Sequence, residues 1–120
     1  MAGLPVGSID SDIHPSVPDV QALMPYLEDH WREQVIIRGI DELNSISYPL
    51  NSPLTCRADW KAASGRPAAS VEVVRKQALD GFGTSLAIAN CLYGIQLLFS
   101  EDMAAAVARA VHDWMAKEGL

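Results

Sequence analysis

The sequence predicts an α/β fold, on three observations. SIDSDI at 8–13 alternates like a strand. TSLAIA at 84–89 is apolar on both faces, as buried strands of parallel sheets are. Between and after these runs, apolar residues recur at helical spacing. Strands and helices that alternate along a chain argue for a parallel sheet with right-handed crossovers.

The first strand is expected near 7–13, and Pro15, which lacks a backbone donor, ends it. As a regular strand it points Ile9, Ser11 and Ile13 one way and Asp10, Asp12 and His14 the other. Residues 19–39 read as helical. Val20, Leu23, Met24 and Leu27 fall at i, i+3, i+4 and i+7, but Pro25 makes this a short or kinked piece. A second helix follows from Glu28 to about Arg38, with Trp31, Val35 and Ile36 inward and Gly39 as its stop.

Residues 40–69 break every pattern with Asn44, Pro49, Asn51, Pro53, Gly65 and Pro67. They read as a long loop, with a short turn around 57–63. Such a loop is either a substrate-side insertion or mobile filler. A helix over 71–80 follows, capped by Ser70, with Glu72 in its first turn. Val71, Val74, Ala78 and Leu79 share one face, and Gly81 and Gly83 end it. The second strand is expected near 84–90. The last helix, 101–118, is the best defined. Ser100 caps it, and Glu101 and Asp102 favour its positive end. Met103, Val107, Ala110, Val111 and Trp114 form its apolar stripe, and Gly119 follows Lys117 at its end.

Bulk composition narrows the function. A chain of 120 residues is expected to form one domain. Its net charge of −6 argues against a nucleic-acid partner, because phosphate binding needs a basic footprint. The longest apolar run, CLYGIQLLF, is too short to cross a membrane. MAGLPVGSID has no basic region followed by an apolar run, so the expected location is the cytoplasm. Cys56 and Cys91 show no metal or redox spacing and read as reduced thiols.

The strongest chemical pattern is Asp12 with His14. At i and i+2 on a strand, a carboxylate and an imidazole can converge on one ion such as Zn²⁺ or Mn²⁺. The same residues could equally be a strand-end polar cluster. His30 and His112 read as surface histidines on helices. GFGTSL at 81–86 fails as a dinucleotide fingerprint, because it follows a helix, precedes a strand and lacks the third glycine. No GxSxG elbow supports a serine triad. Nothing near Cys91 marks it as an activated nucleophile. Trp31, Trp60 and Trp114 read as core or interface anchors.

IDSDIHP, PYLEDHW and the run LDGFGTSLAIANCLYGIQLLFSEDMAAAVARAVHDWMAKEGL together resemble the N-terminal part of the amidohydrolase-related family. The resembling branch is the one similar to aminocarboxymuconate-semialdehyde decarboxylase. It touches most of the chain outside 40–69. The resemblance implies the first portion of a (β/α)₈ TIM barrel: about two βα units plus a long loop, helix-rich as an isolated chain. SIDSDIHP would be barrel strand 1, whose end normally carries a His-x-His metal motif. Asp12 stands at its first position and His14 at its second, and an oxygen ligand favours a harder ion such as Mn²⁺. TSLAIAN would be strand 2, with Asn90 at the rim of the catalytic face.

The family's other metal ligands and its catalytic aspartate come from later strands, and a whole barrel needs roughly 250 residues. The resemblance therefore implies an N-terminal fragment of a metal-dependent hydrolase or decarboxylase, inactive alone, acting on a small organic substrate. No catalytic residue can be named. The expected partners are a second chain supplying the rest of the barrel, or another copy of this one. The alternative is a non-catalytic α/β interaction or oligomerisation protein.

Overall fold

The computed structural model describes residues 7–43, 57–60 and 67–119. Strand β1 (Ser8–Ile13) pairs in parallel with strand β2 (Thr84–Ala89). The order expected from sequence is present. A 3₁₀ helix at Val20–Tyr26 leads to α1 (Asp29–Ile37), a 3₁₀ turn at Ala58–Trp60, α2 (Val71–Val74), β2 and then α3 (Glu101–Trp114). Cys56 and most of the 40–69 loop lie outside the described residues.

Local chemistry accounts for the ends of these elements. Asp19 accepts from the Ala22 N–H at 3.0 Å and opens the 3₁₀ helix, which contains Pro25 and closes at Leu27. Gly39, at φ +62°, ends α1 in a Schellman turn: Ile40 N–H donates to the Val35 carbonyl and Gly39 N–H to that of Ile36. The Ser70 hydroxyl caps α2 through Val73 N–H at 3.3 Å. The expected 71–80 helix is not uniform. After Val74 it widens into a π turn at Arg75–Leu79, then tightens at Asp80–Phe82, and Gly83 takes φ +69° before β2. Ser100 caps α3 through Met103 N–H at 3.2 Å, and the helix runs on as a π turn to Gly119.

The core lies between α3 and the segment 17–43. Met103, Val107, Ala110, Val111 and Trp114 are all buried, as their spacing predicts. They meet Val17, Val20, Leu23, Leu27, Val35, Leu43 and Tyr93. Trp31 is half-buried against this core, but Ile36 faces out at 70% exposure and corrects the inward expectation. Val35 already occupies the inward direction of α1, and Ile36 lies about 100° further round the helix.

The sheet stands largely outside that core. Ser8 pairs with Thr84, Ile9 with Leu86, Asp10 with Ala87 and Ile13 with Ala89. Between the last two pairs β1 advances by three residues and β2 by two, so β1 carries a bulge at Ser11–Asp12. The extra residue shifts the alternation. Asp10 and Ile13 lie on the face of Ala87 and Ala89, while Ile9 lies on the face of Leu86. The expected single face for Ile9 and Ile13 is thereby corrected. So is the expected burial of β2 on both faces: Ile9, Leu86 and Ile88 are 62%, 57% and 58% exposed. The helices pack on one another and leave this face of the sheet bare. The radius of gyration, 15.5 Å, exceeds the value of about 14 Å for a compact chain of this length.

Candidate metal centre

The end of β1 and the end of β2 meet because the strands are parallel. Asn90 N–H donates to the Ile13 carbonyl at 2.9 Å and carries the pairing one residue beyond β2. This brings together the three positions singled out from sequence. The Nδ1 of His14 lies 2.8 Å from the main-chain carbonyl oxygen of Asn90, 76 residues away. The Nε2 of His14 lies 3.2 Å from Oδ1 of Asp12. The His14 side chain is 28% exposed and that of Asp12 73%.

The chemistry of these atoms fixes the tautomer. A carbonyl oxygen only accepts, so Nδ1 carries the hydrogen. In a neutral ring Nε2 then presents a lone pair toward a carboxylate oxygen. Two electron-rich atoms at that distance need a positive bridge, either a proton or a cation. An ion with bonds of about 2.1 Å sets neighbouring ligands about 3.0–3.4 Å apart, which accommodates the observed gap. Metal-binding histidines commonly donate their other N–H to a main-chain carbonyl, as His14 does here. As a plain ion pair, an arrangement with so exposed a carboxylate contributes little to stability.

Asn90 stands at the end of β2, and it meets His14 through its main-chain carbonyl. Cys91, next to it, is half-buried. His30 and His112 are exposed, and His30 packs edge-on against Trp31 with ring centroids 4.7 Å apart. Among the described residues, no group of three or more His, Cys, Asp or Glu side chains could hold a metal ion. A metal site of this kind normally takes at least three protein ligands, and Asp12 with His14 supplies two candidate donors.

The described parts of the long loop touch both ends of the sheet. Ser16 N–H donates to the Ala68 carbonyl at 2.9 Å, just beyond His14. A cavity of about 270 Å³ opens there between Pro15, Ala68, Glu72 and Trp114, though neither Asp12 nor His14 lines it. Trp60 instead lies edge-on to Phe82 at 6.0 Å, ahead of β2 and away from Asn90. Beside it the Arg57 guanidinium hydrogen-bonds the Asp59 carboxylate at 2.7 and 3.0 Å and holds that carboxyl below its ordinary range. The substrate-side reading of the loop therefore has no support at residues 57–60.

No helix among the described residues is long and apolar enough to cross a membrane. Compared with known proteins, the chain matches no protein-family model and no curated protein.

Proposed function

We propose that this chain is the N-terminal part of a metal-dependent hydrolase or decarboxylase of the amidohydrolase-related type, acting on a small organic substrate. The observation that carries this reading is His14, held through Nδ1 by the Asn90 carbonyl and facing Asp12 with Nε2, at the end of a parallel strand pair. Asp12 and His14 would hold a divalent ion, Zn²⁺ or Mn²⁺. When bound, such an ion lowers the pKa of a coordinated water or polarises a substrate carbonyl. The chain's own residues supply binding and orientation: Asp12 an anionic oxygen, His14 a nitrogen of fixed direction, and Asn90 the carbonyl that fixes it. Two ligands hold an ion loosely, and we place the remaining ligands on further strands or on a second chain. The bare face of Ile9, Leu86 and Ile88 supports that placement, because parallel sheets normally have both faces covered.

A titration of the isotope-labelled chain with Mn²⁺ tests this reading. The expected result is paramagnetic broadening of Asp12 and His14 signals at concentrations that leave His30 and His112 sharp. His14→Ala abolishes it, and Asp12→Ala raises the required Mn²⁺ about tenfold or more. Equal broadening of all three histidines, or indifference to Asp12→Ala, would sink the metal reading.

The same exposed face favours a second reading, a non-catalytic interaction protein. On that reading the chain associates without metal, and Asp12→Ala with His14→Ala leaves both fold and association unchanged. Light scattering after size exclusion, with and without Mn²⁺, separates the two.

A further inference from the structure

The bulge in β1 gives Asp10 a task that the alternating pattern hides. In a regular strand Asp10, Asp12 and His14 would share one face. The extra residue at Ser11–Asp12 removes Asp10 from that set and places it with Ile13, opposite Ala87 and Ala89. Asp10 is half-buried there, whereas Asp12 is exposed. A bulge also takes the extra residue's backbone out of the ladder. Here the Asp12 N–H is not left to solvent: it donates to Oδ1 of Asp10 at 3.1 Å. This side-chain-to-backbone bond spans two residues and closes the bulge locally.

We propose that Asp10 is a positioning residue, whose carboxylate captures the Asp12 N–H, holds the bulge and so aims the Asp12 carboxylate at Nε2 of His14. Bulges next to active sites re-aim side chains in this way. The inference rests on the metal-site reading only for what the aimed carboxylate binds. The aiming itself is a property of the chain without metal.

A substitution series at position 10 tests the proposal through two readouts. The first is metal-free: amide hydrogen exchange at Asp12, together with the nuclear Overhauser contact between Asp12 Hβ and the His14 ring. Asp10→Asn keeps an acceptor oxygen and should match the native chain. Asp10→Ser offers a shorter acceptor and should exchange faster. Asp10→Ala should raise Asp12 exchange about fivefold relative to its neighbours and lose the ring contact. The second readout is the Mn²⁺ concentration that broadens His14, which should rise in the same order without following the melting temperature. A merely structural aspartate would move the melting temperature alone. If Asp10→Ala does not fold, the Asn-against-Ser comparison decides. Unchanged Asp12 exchange across the series, or Asn behaving like Ala, overturns the proposal. If the native chain shows no Mn²⁺ effect at His14 while the exchange series holds, the metal reading fails and the positioning role stands.

Discussion

His14 ties the ends of the two strands together through its ring. One ring nitrogen is bonded to a carbonyl and the other faces a carboxylate, so its tautomer and direction are set by two separate elements. The partner at position 90 contributes only main chain. Asn90→Ala is therefore expected to leave the Mn²⁺ concentration needed at His14 within about twofold of the native value, because the carbonyl that holds Nδ1 is retained. A shift as large as that of Asp12→Ala would show that the asparagine amide itself acts there. Asp12 and His14 were legible from sequence through residue type and spacing. The Asn90 carbonyl was not, because every residue has one and only the pairing of the strands brings this one to the ring.

At the scale of elements, the core is built on α3 against the 3₁₀ helix Val20–Tyr26. Leu23 is fully buried in it, beside the α3 stripe that begins at Met103. Truncation there leaves a cavity that neighbouring side chains fill only in part. Leu23→Ala is expected to cost about 2–5 kcal/mol in urea unfolding. Ile36→Ala, on an exposed position of α1, should stay within about 0.5 kcal/mol. Comparable losses from both would contradict this packing. The stripe of α3 and its Ser100 cap were readable because helical period and cap chemistry agree. The π turn after Val74 was not. It stands where Arg75 and Asp80 approach within 3.6 Å, and no local spacing signals a wider turn.

For the whole molecule, the decisive fact is where the core is not. The helices bury one another, and one face of β1 and β2 is left with Ile9, Leu86 and Ile88 in the open. Exposed β-branched and leucine side chains on a short parallel pair invite association. The double variant Leu86→Lys/Ile88→Lys should keep the melting temperature within a few degrees, since neither side chain is buried. It should also weaken any self-association or capture of a second chain through this face. Light scattering that finds the native chain and the variant equally monomeric at high concentration would remove this surface as an interface. TSLAIA resembles a buried strand because its composition suits burial. Composition does not say whether helices actually arrive to cover it.

By itself, the sequence determined the local elements: a strand closed by a proline, capped helices with apolar stripes, and a carboxylate and an imidazole two residues apart. Those features depend on neighbours within a turn or two, so periodicity and cap chemistry express them directly. Only the tertiary structure decided which partners they meet. The parallel register sets the Asn90 carbonyl against His14, and the bulge moves the Asp10 side chain to the other face, where its carboxylate accepts from the Asp12 N–H, so the polar face of SIDSDIH divides into Asp10 and a facing Asp12–His14 pair. The physical reason is that register and burial belong to pairs of residues far apart in the chain, which a one-dimensional pattern does not encode.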